Sequence, residues 1–210
     1  MNKSIVLKIS TLIISVLLMV SISVNTVYCS FFSYYPAKED NGKVITITGD
    51  SYAGFFASYE CFKEYGFLIY ANAGKSTKEN YEIMKTAINF FPDTIIISIG
   101  VNDHSKNVTL DDFKNGIEEL VSISRLNRKK IILHTYMDYD DSIVEGVEHL
   151  FTTKDYDNIL RDISKKNSNV FYVDMSDYNE EVYLQNDKIH YNKLFYDELY
   201  RRVSTALMLF

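Results

Sequence analysis

The sequence predicts an α/β domain, a three-layer sandwich in which a five-stranded parallel sheet lies between two layers of helices. Two observations carry this. Strand-like and helix-like segments alternate along residues 43–210. The first strand segment, Val44-Ile45-Thr46-Ile47-Thr48, is β-branched throughout. Thr94-Ile95-Ile96-Ile97-Ser98-Ile99 is apolar on both faces, as a strand covered on both sides should be.

The first strand is Val44-Ile45-Thr46-Ile47-Thr48, broken by Gly49. Asp50 and Ser51 follow, then a helix running to Tyr65 with Gly66 as its C-cap. Phe67-Leu68-Ile69-Tyr70-Ala71 is the second strand, and Asn72-Ala73-Gly74-Lys75 a turn. Ser76 and Glu79 have capping-box spacing, which starts a helix over 77–90. Pro92 and Asp93 separate it from the third strand, 94–99, which ends in Gly100-Val101-Asn102-Asp103. Thr109 and Asp112 cap a helix over 110–126, with Phe113, Ile117, Leu120 and Val121 at helical spacing. The fourth strand is 130–135, followed by a long acidic loop, 136–150. Thr152 and Asp155 cap a helix to Lys166, and 170–173 is the fifth strand. Residues 174–190 read as irregular and 191–210 as a closing helix.

Residues 1–29 stand apart. Lys3 and Lys8 are their only charged side chains, and 9–24 is apolar apart from Ser and Thr. A basic start and a short apolar run predict a secretory signal peptide, with an uncleaved membrane anchor as the rival, since 9–28 is long enough to cross a bilayer. Residues 30–42 read as a linker and 43–210 as one domain, exported in either case.

Net charge is −6, and no basic run is longer than Arg128-Lys129-Lys130, which argues against a nucleic-acid partner. The two cysteines, Cys29 and Cys61, make neither a disulfide framework nor a metal spacing. HExxH, Walker and GxGxxG motifs are absent, so neither a metal nor a nucleotide cofactor is called for.

In parallel sheets ligands bind beyond the carboxyl ends of the strands. Ser51, Gly74 and Asn102 all fall there, so three turns should converge on one rim. A serine at a strand-to-helix turn has a projecting hydroxyl and a backbone N–H at a helix N-terminus. A nucleophilic serine needs a base and an orienter for that base. Of the four histidines, His104 follows Asp103 on the rim, His134 ends a strand and His149 lies in the acidic loop. His190 stands in Asp187-Lys188-Ile189-His190, a spacing at which one turn presents both Asp187 and His190 on the same side.

Together these stretches resemble the SGNH (GDSL-like) hydrolase family. Gly49-Asp50-Ser51 is similar to its first block, Gly74 in Asn72-Ala73-Gly74-Lys75-Ser76 to the second, Gly100-Val101-Asn102-Asp103 to the GxND of the third, and Asp187-Lys188-Ile189-His190 to the DxxH of the last. The resemblance implies a flavodoxin-like SGNH hydrolase fold and a cofactor-free serine ester hydrolase. It makes Ser51 the nucleophile, His190 the general base and Asp187 its orienter. The oxyanion hole would be the backbone N–H groups of Ser51 and Gly74 with the Asn102 amide. Asp50 and Asp103 read as turn and rim supports. Tyr52 and Tyr191 depart from the pattern, either packing beside the turn or facing the substrate. The activity expected is hydrolysis of short acyl esters, acetyl above all, on a carbohydrate. The competing reading is a membrane-tethered O-acyltransferase of a cell-envelope polymer.

Overall fold

The computed structural model describes residues 30–35, 44–59, 65–90, 93–136, 139, 150–178 and 181–208. The putting of a signal or anchor on residues 1–29, both cysteines, His149 and most of the acidic loop lie outside these residues. Among the described residues no helix is long and apolar enough to cross a membrane.

Among the described residues six strands form one sheet: β1 (Ser30–Tyr35), β2 (Val44–Gly49), β3 (Gly66–Asn72), β4 (Thr94–Ser98), β5 (Lys130–His134) and β6 (Val170–Val173). Their order is β1-β3-β2-β4-β5-β6. β2 to β6 are parallel to their neighbours, which is the five-stranded parallel sheet that the alternation predicts. β1 is an addition: it pairs antiparallel with β3, Ser30 opposite Asn72 and Tyr35 opposite Phe67. The linker expected over 30–42 is therefore corrected for residues 30–35. Its aromatic residues carry β propensity, but a strand at a sheet edge has no helix after it to reveal it in a βα alternation.

The helices are α1 (Ser51–Ser58), α2 (Thr77–Phe90), α3 (Asn102–Ser105), α4 (Leu110–Leu126), α5 (Thr153–Lys166) and α6 (Lys193–Met208). Side-chain alternation along the strands divides the core. Ile45, Ile47, Ile96 and Ile132 face α1 and α6 and pack with Phe56, Phe195, Tyr196 and Leu199. Ile95, Ile97, Ile131 and Leu133 face the other way, onto Met84, Phe113, Ile117, Leu120 and Leu160. The period of two along the strands thus fills both helix layers from one sheet.

Caps set the helix starts where the sequence places them. Ser76 N–H donates to Glu79 Oε2 at 2.8 Å, closing the box that opens α2. Asp112 N–H donates to Thr109 Oγ1 at 3.1 Å, and Thr152 with Asp155 forms a reciprocal capping box on α5. Gly66 is a correction: it opens β3 and is not a helix cap in the left-handed region. α3 is a single turn at the expected end of the third strand, and 174–190 contains two 3-10 turns, Ser176–Tyr178 and Glu181–Tyr183.

Candidate active site

The site forms at the carboxyl rim of β2, β3 and β4. Gly49 ends β2 at φ +140°, where a Cβ would lie 1.9 Å from the carbonyl oxygen of Ser98 on the adjacent strand. Only glycine lets the chain turn that close to β4. Asp50 then dips into the interior and Ser51 begins α1.

Ser51 Oγ lies 2.9 Å from His190 Nε2, and His190 Nδ1 lies 2.7 Å from Asp187 Oδ2. A carboxylate can only accept, so it fixes the proton on Nδ1 and leaves Nε2 free to accept from the serine hydroxyl. Asp187 Oδ1 also accepts from the backbone N–H groups of Ile189 and His190, at 3.0 and 2.9 Å. Partial burial pushes the Asp187 carboxyl up, but the bonds from the His190 ring and these two N–H groups hold it below its usual value. Lys188, between them, stands in the left-handed region at φ +58°, which curls Asp187 back under His190.

Asn102 begins α3, and its Nδ2 donates to Asp50 Oδ2 at 2.9 Å. An amide nitrogen carries two hydrogens, so this bond fixes the group and leaves one donor for a ligand. Asp50 accepts two more bonds, from Tyr52 N–H at 2.9 Å and Gly100 N–H at 3.1 Å. It thus ties the serine turn to the Gly100-to-Asp103 turn. Burial raises its pKa to about 6 against those hydrogen bonds. Asp103 makes the second tie. Thr77 N–H and Thr77 Oγ1 donate to it at 2.9 and 2.8 Å, joining α3 to the start of α2 beyond Gly74. Burial raises its pKa to about 7.

Gly74 is exposed, at φ +69°, and a Cβ there would meet nothing within 4 Å. The glycine is needed for its backbone angle, and the space in front of it is open. Its carbonyl accepts from Lys106 Nζ at 2.7 Å, and the same ammonium pairs with Glu79 at 2.5 Å.

The other described histidines stand apart from the serine. His134 is buried, bonded to Ser98 Oγ at 2.8 Å and to the Thr135 carbonyl, and burial lowers its pKa. His104 is buried against Tyr139, 3.0 Å from its hydroxyl, while its N–H donates to Tyr136. Tyr52 and Tyr191 are core residues. Tyr52 is fully buried, and its ring occupies the place a Cβ on Gly100 would need, 2.5 Å away. Tyr191 packs on Tyr52 and Phe195. The substrate-facing reading of these two tyrosines is thereby corrected in favour of packing beside the turn, where burying an aromatic ring is favourable and the Tyr52 hydroxyl still finds the Ile189 carbonyl. Among the described residues no cluster of His, Cys, Asp and Glu has the arrangement of a metal site. A cavity of about 340 Å³ lies further along the rim, beyond β5 and β6. In its wall Arg161 donates to Asp157 at 2.7 Å and is bidentate to Asp174, while the Tyr172 hydroxyl bonds Asp157 and Thr135.

The sequence singled out Ser51, His190 and Asp187, and the structure brings them into one hydrogen-bonded line. It places Asn102 beside them through Asp50, and Gly74 on the same rim. Asp50 and Asp103 are the turn and rim supports that the sequence suggests; their full burial and their partners, which no spacing reveals, are what sequence reading missed.

No protein-family model matches the chain, and no curated protein matches it. Solved structures do. A GDSL-like lipase from Bacteroides thetaiotaomicron has a TM-score of 0.65 at 15% identity, with 83% of this chain and 92% of that one covered. An acetyl-xylooligosaccharide esterase from Geobacillus has a TM-score of 0.59 at 18% identity, covering 78% and 93%. The C-terminal catalytic domain of Streptococcus pneumoniae peptidoglycan O-acetyltransferase A also has 0.59 at 18%, covering 80% and 93%. At these identities the likeness is one of fold, and that fold is the one seen in GDSL-like lipases and acylhydrolases.

Proposed function

We propose that the chain is an exported serine esterase that removes short acyl groups, acetyl above all, from a carbohydrate. The observation that carries this is the line Ser51 Oγ–His190 Nε2–Asp187, at 2.9 and 2.7 Å. Ser51 Oγ attacks the ester carbonyl carbon while His190 Nε2 takes its proton. The oxyanion is met by the backbone N–H groups of Ser51 and Gly74 and the second hydrogen of the Asn102 amide. Collapse breaks the carbon–oxygen bond, and the proton on Nε2 goes to the leaving alcohol. Water, deprotonated by the same nitrogen, then releases the acid and regenerates Ser51. Asp187 keeps Nδ1 protonated throughout.

The open space before Gly74 supports a shallow site exposed to a polymer. A long acyl chain needs buried walls, at about 0.8 kcal/mol for each buried CH₂. The rim is less acidic than its composition suggests, because Arg161 and Arg202 pair with Asp174 and Asp177. The likeness to acetyl-xylooligosaccharide esterase supports an acetylated glycan. The likeness to a peptidoglycan O-acetyltransferase domain supports the second reading, transfer to a cell-envelope hydroxyl in place of water. Residues 1–29 support export and, if retained, a tether.

The test is kcat/KM on p-nitrophenyl esters of rising chain length, with acetylated xylan and peptidoglycan fragments alongside. Acetyl should exceed octanoyl by a wide margin; a value climbing through octanoyl would make the enzyme a lipase. Acetylated product formed from an added glycan acceptor, with little free acetate, would favour the transferase. A reporter fused behind residues 1–29 should be found outside the cytoplasmic membrane; retention in the cytosol would overturn export.

A further inference from the structure

α1 carries three aromatic residues at i, i+3 and i+7: Tyr52, Phe55 and Tyr59. Tyr59 stands one residue past the helix, but its N–H still donates to the Phe55 carbonyl, so the helical path continues through it. This spacing puts all three on one face. That face meets the backbone around His190.

Tyr52 Oη donates to the carbonyl of Ile189, the residue before His190, at 2.6 Å. Tyr59 Oη donates to the carbonyl of Tyr191, the residue after it, at 3.3 Å, and accepts from Gln185 Nε2 at 2.7 Å. Between them the Phe55 ring lies 4.6 Å from the imidazole, centre to centre. The histidine is thus held from both sides along its backbone and from below by a ring. Bonds within the segment give the turn its shape: Asp187 accepts from Ile189 and His190, Gln185 N–H donates to the His190 carbonyl, and Leu184 pairs with Tyr191. The two phenols tie that turn to α1, the helix that Ser51 begins, as does the contact of His190 Nε2 with Ser51 Oγ itself.

We propose that Tyr52 and Tyr59 are positioning residues for His190, a cradle on α1 that sets the separation between Ser51 Oγ and His190 Nε2. The proposal rests on the assignment of His190 as the base. Neither phenol touches the reacting atoms. Burial keeps the Tyr52 hydroxyl protonated well past its ordinary range, so it remains a donor wherever the enzyme works. The register is also set from behind: the Tyr196 hydroxyl on α6 donates to the Tyr52 carbonyl at 3.2 Å, holding the first turn of α1 in place.

The substitutions that test this keep the rings and remove only the hydroxyls: Tyr52→Phe, Tyr59→Phe and the double variant, in the full chain. Misplacing a base by a fraction of an ångström to an ångström costs roughly tenfold to a hundredfold in rate. Tyr52→Phe should lower kcat about tenfold, the double variant further, and KM should stay within about twofold. The rate at which a fluorophosphonate labels Ser51 should fall by the same factor, since that reaction also needs Nε2 to take the serine proton. A purely structural role would lower the melting temperature and leave both rates of the folded protein unchanged; that result overturns the proposal. A KM effect without a kcat effect overturns it too, by placing the phenols at the substrate. His190→Ala is the control that separates the two readings. If it hydrolyses and labels like the parent, the base assignment fails. If it is dead while the double Tyr→Phe variant is fully active, only the cradle fails.

Discussion

The two halves of the site are held by opposite means. Beside Asn102, on the proposed oxyanion side, Asp50 and Asp103 are fully buried carboxyls that clamp three turns together. Beside His190, on the proposed base side, Asp187 leaves 45% of its side chain exposed and bonds mainly within its own turn. The difference shows in their protonation. Burial outweighs hydrogen bonding at Asp50 and Asp103 and raises them, to about 6 and about 7, from a usual 3.8. At Asp187 hydrogen bonding outweighs partial burial and lowers it. The half with the buried carboxyls carries a cost in stability; on the proposed reading its task is to hold donors still. The other half, to which that reading gives the proton transfer, keeps its carboxylate ionised near water.

The sharpest break in this comparison is His190→Ala. Losing the base should lower kcat by roughly 10⁴-fold or more, as should Ser51→Ala, with circular dichroism unchanged. Activity near the parent's would detach the base side from function altogether.

Next come the two ends of one hydrogen bond. Asn102→Ala should cost roughly 10²–10³ in kcat with little change in KM, the effect of losing one oxyanion donor. Asp50→Asn should approach it. Three donors converge on Asp50, two of them on Oδ2, and an amide would have to aim its own hydrogens at one of those sites. Combining the two substitutions should cost little more than Asn102→Ala alone, because both remove one interaction. Additive losses in the double variant would mean that Asp50 does not act through Asn102.

Gly74→Ala should destabilise by about 1–2 kcal/mol from its left-handed backbone alone, since the added methyl touches nothing in the free protein. Urea melts measure that loss. A much larger fall in kcat/KM than in stability would show that substrate fills the space before Gly74.

The smallest effect should come from Asp103→Asn. Here an amide can accept from Thr77 N–H and donate to Thr77 Oγ1, so every bond survives. The sign of the pH effect follows from the raised pKa. The folded state binds more protons than the unfolded between about pH 4 and 7, so ionisation of Asp103 erodes stability as pH rises through that window. The variant should keep its activity and melt higher than the parent at pH 8. Its melting temperature should also change less than the parent's between pH 5 and 8. An unchanged slope would remove Asp103 as a buried acid. Asp187 acts in the opposite sense. Its contribution is complete above its unfolded pKa and is lost as pH falls through the lower folded one.

Much of this molecule is determined locally and was therefore legible in the sequence. Runs rich in apolar and β-branched residues point to the five parallel strands, because a strand covered on both faces buries nearly every side chain it carries. The Ser76–Glu79 and Thr152–Asp155 boxes dictate helix starts, because the bonds span three residues. The Asp187–His190 contact is of the same kind. Tertiary structure decided what depends on partners distant in sequence. β1 is a strand only because β3 offers an edge to residues 30–35. Asp50 and Asp103 become clamps only once the sheet has brought Gly100 and Thr77 beside them, 50 and 26 residues away. Tyr52 and Tyr191 turn inward because the packed core takes in their rings. Tyr52, Phe55 and Tyr59 show the division plainly. Their helical spacing puts them on one face, but that the face meets His190 follows from the topology, which returns the chain to α1 after more than 130 residues.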